Sequence, residues 1–232
     1  MKKSILIITL FILIINCSNI DEPITSTPLE FSYDFTPNSQ NWQSGFADYP
    51  EGQESFYELE YEHSTLPAPL DESNGSLKQS GNNHSDDLFM FIKRKISGLK
   101  PYQTYKATFN IEIATNIADN LFGVGGSPGH SVYIKAGLTK FEPLRIVDDL
   151  GFYRINIDKS NQAQSGNDMI VIGDFSNGTN QNIYKLKSLT NHNKFIIQAD
   201  KNGELWTIIG TDSGFEATTT IYYNKISILL EE

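Results

Sequence analysis

A run of strictly alternating residues constrains the fold of this chain most strongly. In residues 104–113 the apolar positions 105, 107, 109, 111 and 113 alternate with polar residues. Period-two alternation over so many residues predicts a β-strand with one buried and one solvated face. A second strand-like run spans residues 88–96, and a turn with Gly98 and Pro101 separates the two runs. We therefore expect a hairpin in the core, preceded by a polar loop over residues 81–87.

Further short strand-like segments are separated by turns rich in Gly, Asn and Asp. No segment shows a useful 3.6-residue apolar stripe, and 232 residues suffice for one generous all-β domain or two small ones. Many short strands with regular turns favour the all-β class and a single antiparallel β-sandwich over residues 30–232. The predicted strands outside the hairpin are residues 30–35, 56–63, 131–138, 144–147, 152–157, 169–175, 184–189, 195–199, 205–211 and 218–230.

The charge balance argues against nucleic acid as a partner. The net charge is −10, and without residues 1–16 the chain keeps 16 basic against 28 acidic residues. An anionic phosphate backbone would be repelled by this field, whereas cations and neutral ligands would not.

The N-terminus has the pattern of an export signal. Lys2 and Lys3 precede an apolar run over residues 5–15, which is too short for a transmembrane span of about 20 residues. The segment Ile14-Ile15-Asn16-Cys17 resembles the lipobox of bacterial lipoproteins, with Asn16 where Gly, Ala or Ser is usual. This predicts a signal peptide over residues 1–16, acylation of Cys17 and a tether over residues 17–29. The alternative is an ordinary secretory signal.

Two stretches of the chain follow a known pattern. Residues 98–105 read Gly-Leu-Lys-Pro-Tyr-Gln-Thr-Tyr, and near the C-terminus the pair Tyr222-Tyr223 precedes Asn224 and an alternating apolar run. These stretches resemble jelly-roll carbohydrate-binding modules and other galactose-binding-like domains, in which an Asp usually stands at the position of Asn224. The resemblance implies a jelly-roll sandwich, a glycan ligand and a structural calcium ion near the junction of the first and last strands.

Aromatic and polar loop residues are the candidate ligand-binding groups. Aromatic rings can stack on the apolar faces of sugars, although the same rings can instead fill the core. In the polar loop, His84 lies near two aspartates, which could form a metal site or an acid–base site; alternatively, His84 bonds to the backbone and Asp86 caps the turn. The candidates are Trp42, Phe46, Tyr49, Asn82, Asn83, His84, Asp86, Asp87 and Trp206.

Calcium prefers oxygen ligands in irregular loops, and several such side chains are present. The chain has no contiguous Asp-x-Asp-x-Asp-Gly loop, so the ligands would converge through folding. The alternative is that these side chains are solvated acids at turns. The candidate ligands are Asp34, Asp48, Asp212, Glu216 and Asn224.

Together these observations predict a lipoprotein of the bacterial cell envelope, at the outer membrane or cell surface. Acylated Cys17 would contact the lipid bilayer, and the jelly-roll module would bind a glycan or polysaccharide. One alternative is a host-facing or envelope-structural lipoprotein that binds proteins. Another is a hydrolase using His84, Asp86 and Asp87. The sequence favours a binding protein, because it has no His-Glu-x-x-His or His-x-His motif and no second histidine close to His84.

Overall fold

The structure is a computed structural model that describes residues 27–85 and 87–232. Cys17, the predicted signal peptide, most of the predicted tether and Asp86 therefore lie outside the described residues. The described ranges contain strands and no helix, and so contain no helix long and apolar enough to cross a membrane. The strands are β1 (Leu29–Asp34), β2 (Gln43–Ala47), β3 (Tyr49–Pro50), β4 (Glu60–Thr65), β5 (Gly75–Asn82), β6 (Leu88–Ile96), β7 (Thr104–Thr115), β8 (Val132–Thr139), β9 (Arg145–Val147), β10 (Phe152–Ile155), β11 (Met169–Asp174), β12 (Lys185–Thr190), β13 (Phe195–Gln198), β14 (Leu205–Ser213) and β15 (Thr218–Glu231).

Two antiparallel sheets face each other across the core. The larger sheet has the order β12-β7-β15-β5-β4, with β1 beside the C-terminal half of β15 and β13 beside the start of β7. The smaller sheet has the order β11-β8-β14-β6-β2. The chain crosses between the sheets repeatedly, for example from β5 to β6, from β6 to β7 and from β14 to β15. The predicted all-β, antiparallel sandwich is confirmed.

The core lies between the inner faces of these two sheets. All five apolar positions of the alternating run in β7 are at most 1% exposed, as its period predicts. They pack in one cluster with the inward side chains of β6, β8, β14 and β15. The alternation therefore identified both the strand and its buried face.

A third layer covers the outer face of the smaller sheet. It contains the small sheet β3-β10-β9, and Ile155 and Ile157 of the same segment pack on Phe89, Phe91 and Ile208. The approach is close: a Cβ on Gly137 would lie 1.9 Å from the carbonyl oxygen of Asp168. Within residues 27–85 and 87–232, no comparable layer lies on the outer face of the larger sheet.

The predicted hairpin is wrong, although both of its strands are confirmed. Strand β6 pairs with β14 and β2, whereas β7 pairs with β15, β12 and β13. The residues between them cross from one sheet to the other, and Leu99 is buried there, with its N–H donating to the carbonyl of Gly203. Alternation specifies which face of a strand is buried, but it does not specify the strand's partner.

Three strands were missed, and one began later than expected. The missed strands are β2, β3 and β5, where the sequence predicts no strand. Strand β5 extends into the predicted polar loop, and β4 begins at Glu60 rather than at residue 56. Strand β5 lacks apolar alternation because small and polar residues occupy its inner face. Among them, Gln79 is fully buried and its Nε2 donates to the carbonyls of Gly45 and Phe91 in the other sheet.

The covering layer predicts the effect of a single methyl group. Gly137→Ala should destabilise the protein by about 1–3 kcal/mol, because the new Cβ would clash with the backbone at Asp168. Chemical denaturation with the wild-type protein as reference measures this. Gly98→Ala measures the cost of backbone strain without a clash, since φ there is +87° and nothing lies within 4 Å of the added Cβ. A smaller loss at Gly137 than at Gly98 would contradict the close packing.

Candidate functional site

A groove crosses the outer face of the larger sheet, where β1, β15, β7 and β12 lie side by side. Its volume is about 530 Å³, within the range of small-molecule sites. Strand pairing aligns its polar side chains in two rows of four. The first row is Ser32, Ser227, Asn110 and Thr190, and the second is Asp34, Lys225, Glu112 and Ser188.

The polar rows follow from the alternation of the four strands. Between the two rows lie Tyr33, Ile226, Ile111 and Leu189, which point into the core and are at most 8% exposed. Their neighbours on each strand must therefore point outward. The groove therefore presents hydroxyl, amide and charged groups at the ends of these side chains, on a lining that is otherwise largely apolar.

Hydrogen bonds already order part of this surface. Thr190 Oγ1 donates to Asn110 Oδ1 at 2.8 Å, and among the described residues no acceptor contacts Asn110 Nδ2. Lys225 Nζ lies 3.4 Å from Asp34 Oδ2. Hydrogen bonds from Thr36, together with this lysine, hold the pKa of Asp34 below its ordinary value, so the carboxylate stays ionised.

A second cluster of charged groups is buried on the outer face of the smaller sheet. Lys135 of β8 and Asp212 of β14 are both fully buried, with Nζ and Oδ2 2.7 Å apart. Lys159, in the covering segment after β10, lies 3.0 Å from Asp212 Oδ2 and 3.0 Å from Asp48 Oδ2. Arg154 Nη1 donates to Asp48 Oδ1 at 3.0 Å.

Asp48 owes its place in this cluster to the backbone. It lies between β2 and β3 with φ at +65°, in the left-handed region that Asp tolerates better than most residues. Its N–H donates to the carbonyl of Tyr153, which ties the turn to β10. A cavity of about 240 Å³ beside it is also lined by Asp87, Asp158 and Lys159.

The three aspartates of the cluster are close enough to share one cation. Asp48, Asp87 and Asp212 each offer a carboxylate oxygen within 4.8 Å of the others, a spacing that could hold a metal ion. The ammonium of Lys159 lies among these carboxylates, 3.9 Å from Asp87 Oδ1. Calcium takes 6–8 oxygen ligands at 2.3–2.6 Å, and an ion at this spacing would overlap the ammonium. With Lys159 in place, the described residues do not fit calcium.

The charges in this cluster shift its protonation equilibria. Burial raises the pKa of Asp87 to about 7, with Asp48 and Asp212 adding to the rise and Lys159 opposing it. Burial alone would lower the pKa of Lys159, but Asp212, Asp48 and Asp87 outweigh it and raise the pKa. Lys159 is therefore a charged ammonium at neutral pH, and Asp87 is the group that titrates.

The predicted aromatic ligands are largely part of the core. Trp42 is 3% exposed and packs edge-on against Tyr33 and Phe35, and Tyr49 is fully buried against Tyr57 and Tyr153. Neither ring has an exposed face on which a sugar could stack, which corrects the stacking expectation.

The other two aromatics are partly accessible but lie away from the groove. Phe46 of β2 is half-buried and packs against the core. Trp206 of β14 is partly exposed on the smaller sheet, with Lys93 Nζ and Lys95 Nζ 5.4 and 5.5 Å from its ring centroid. The predicted aromatic set therefore does not converge on one site.

The predicted polar loop has a structural role at its described positions. Asn83 is buried, and its Nδ2 donates to the carbonyls of Ser213 and Phe215, whereas Asn82 ends β5. The imidazole of His84 stacks on Phe56 at 4.1 Å, with Nε2 3.1 Å from that residue's carbonyl oxygen. This matches the alternative in which His84 bonds to the backbone.

The predicted calcium ligands are divided among three places. Asp48 and Asp212 meet in the buried cluster, together with Asp87. Asp34 pairs with Lys225 at the junction of β1 and β15, and Asn224 is buried nearby, where its Nδ2 donates to Glu112 Oε1 at 2.6 Å. Glu216 lies in a separate loop, where its N–H donates to the carbonyl of Val124. The five residues do not form one ion site.

Comparison with known proteins gives fold-level likenesses only. No protein-family model and no curated protein matches the sequence. Similar solved structures include the mannan-recognising carbohydrate-binding module TmCBM27, at 12% identity and a TM-score of 0.41, covering 89% of this chain and 99% of that one. The CBM22-1 xylan-binding domain of Paenibacillus barcinonensis Xyn10C matches at 11% identity and a TM-score of 0.39, covering 86% and 92%.

A third likeness is to a much longer protein. The enzymatically active domain of the bacteriophage CBA120 tailspike protein 4 matches at 13% identity and a TM-score of 0.37. The match covers 81% of this chain, which spans only 19% of that one. Likenesses this distant transfer neither a ligand nor an activity, so the functional argument rests on the geometry of the site.

The titration of Asp87 predicts an unusual pH dependence of stability. A carboxyl with a raised pKa in the folded state contributes stability that is full below its unfolded pKa and is lost as pH rises through about 7. The stability of Asp87→Asn relative to wild type should therefore increase as the pH is raised from about 5 to about 8. Thermal unfolding at both pH values measures the difference.

The exposed Asp149 provides a matched control for this effect. Asp149→Asn removes the same charge from a surface turn and should show no comparable change between the two pH values. If Asp87→Asn gained nothing over wild type on going to the higher pH, the burial assigned to this carboxyl would be wrong.

Proposed function

We propose that the protein binds a glycan in the groove on the outer face of the larger sheet. The observation that supports this is the pair of polar rows across four strands in register. Neighbouring strands are about 4.8 Å apart, so a chain of sugars lying across them meets a new hydroxyl, amide or carboxylate at each strand. These groups can donate to and accept from sugar hydroxyls, as sugar recognition requires.

The charges of the groove select among glycans. The two rows contain the carboxylates of Asp34 and Glu112 and one ammonium, which is already paired with Asp34. The chain as a whole has a net charge of −10. Sugars that bear carboxylate or sulfate groups would be repelled by this field. We therefore propose neutral or amine-bearing glycans as the ligand class.

A glycan array followed by calorimetry tests the groove. Asn110→Ala should weaken binding of an array hit about tenfold, because it removes hydrogen bonds to the ligand. Phe122→Ala is the control, since Phe122 is 99% exposed in a loop outside the groove. An array without hits would contradict glycan binding. Loss of binding in Trp206→Ala but not in Asn110→Ala would move the site to the smaller sheet.

We also propose that the protein is a lipoprotein of the bacterial cell envelope, anchored through Cys17. The basic, apolar and cysteine segments of the N-terminus support this. Two or three acyl chains would anchor the chain stably, at about 0.8 kcal/mol per buried methylene. Eleven residues lie between Cys17 and Leu29, the first residue of β1, so the domain can lie at most about 40 Å from the lipid.

Metabolic labelling tests the anchor. Cys17→Ser should abolish incorporation of labelled palmitate and release the protein from the membrane fraction, because the thiol is the acylation site. Ser18→Ala keeps the thiol and should leave both properties unchanged. Labelling that persists in Cys17→Ser would place the lipid elsewhere, and an unlabelled, soluble wild-type product would exclude the anchor.

The two alternative functions stay as predictions with their own tests. A protein-binding lipoprotein would capture a specific partner from envelope extracts. A hydrolase built on His84 would lose activity on a glycosidase or esterase panel in His84→Ala. The imidazole of His84 is stacked on Phe56 and bonded to its backbone carbonyl, which is a structural role. The hydrolase alternative is therefore less well supported than glycan binding in the groove.

A further inference from the structure

The buried charge cluster has the carboxylates of an ion site and contains a lysine instead of an ion. Lys159 Nζ lies 3.0 Å from Asp48 Oδ2, 3.0 Å from Asp212 Oδ2 and 3.9 Å from Asp87 Oδ1. We propose that this ammonium is the resident cation of the site. The fold then needs no calcium, and removal of the ammonium converts the three carboxylates into a divalent-cation site.

The donors of Lys159 fit this role. The ammonium of Lys159 donates to Asp212 Oδ2 at 3.0 Å and to the carbonyl of Ser160 at 3.3 Å, and it lies at ion-pair distance from Asp48 Oδ2. The residue is 6% exposed, so most of these contacts are shielded from solvent. The ammonium therefore lies within ion-pair distance of all three carboxylates, in the place where a bound metal ion would lie.

A second lysine holds Lys159 in position. Lys135 Nζ donates to the backbone carbonyl of Lys159 at 2.8 Å and to Asp212 Oδ2 at 2.7 Å. The N–H of Gln162 donates to the same carboxylate oxygen at 2.9 Å. Asp212 Oδ2 thus accepts three donors, which leaves this oxygen no free direction toward an added ion.

The cations of the cluster also oppose an added ion. The carboxylates of Asp48, Asp87 and Asp212 face Lys135, Lys159 and Arg154, and Arg154 also pairs with Asp148. A divalent ion entering beside these cations would add two positive charges to a largely buried place, which is unfavourable. When the ammonium of Lys159 is absent, three carboxylates face only two cations, and the space between them becomes available.

Calcium titration of the EDTA-treated full chain tests the proposal. Wild type should show the same Tm with calcium as with EDTA. Lys159→Ala should have a lower Tm in EDTA and regain about 5 °C or more at a calcium concentration a hundredfold above its Kd. Calorimetry should detect calcium binding to this variant alone. Adding Asp212→Asn to Lys159→Ala should abolish both responses.

Two further variants keep the test decisive. Lys225→Ala removes an exposed lysine paired with Asp34 and should show no calcium response. Lys159→Gln keeps most of the side-chain volume, and its calcium response counts in the same way if Lys159→Ala does not fold in EDTA. Failure of both Lys159 variants to bind calcium would overturn the proposal. So would stabilisation of wild type by calcium that is lost in Asp212→Asn, because the ion would then displace the ammonium.

Discussion

The position of the third layer on the smaller sheet depends on ion pairs and hydrogen bonds to charged side chains buried in that sheet. Lys135 and Asp212 lie fully buried on its outer face, where an isolated ion would be strongly unfavourable. Their partners come from the covering segment, through the ammonium and carbonyl of Lys159 and the N–H of Gln162. The segment must therefore lie on this face, and the apolar contacts of Ile155 and Ile157 with the sheet accompany it.

This covering makes the two outer faces of the sandwich unequal. The smaller sheet is enclosed between the core and a third layer, whereas no layer of the described residues covers the outer face of the larger sheet. Alternation on β7 and β15 then places polar side chains outward, and the pairing of β1 and β12 extends them into a groove. The edge strand β1 directly follows the predicted tether. The residues of β1 that line the groove are therefore close in sequence to the proposed anchor.

The elements of the fold could be predicted where apolar alternation is regular. Strand β6 has the predicted bounds, and the buried positions of β7 are the predicted ones. Pairing could not be predicted, because a seven-residue connection can close a hairpin or cross a sandwich equally well. Strand β5 was missed for another reason: Gln79 is buried and satisfied by carbonyls of the opposite sheet, which no local pattern indicates.

The chemistry of the candidate sites was harder to predict than the fold. The alternation of β7 predicts that Asn110 and Glu112 lie on its solvated face. Only the pairing with three other strands makes that face part of a groove. Asp48 and Asp212 were selected as oxygen ligands by residue type, and folding does bring them together. The decisive group, Lys159, gives no sequence signal beside Asp158. An ammonium competes for the same oxygens as a metal ion. A cluster of carboxylates therefore does not show which cation lies between them until the positions of nearby lysines are known.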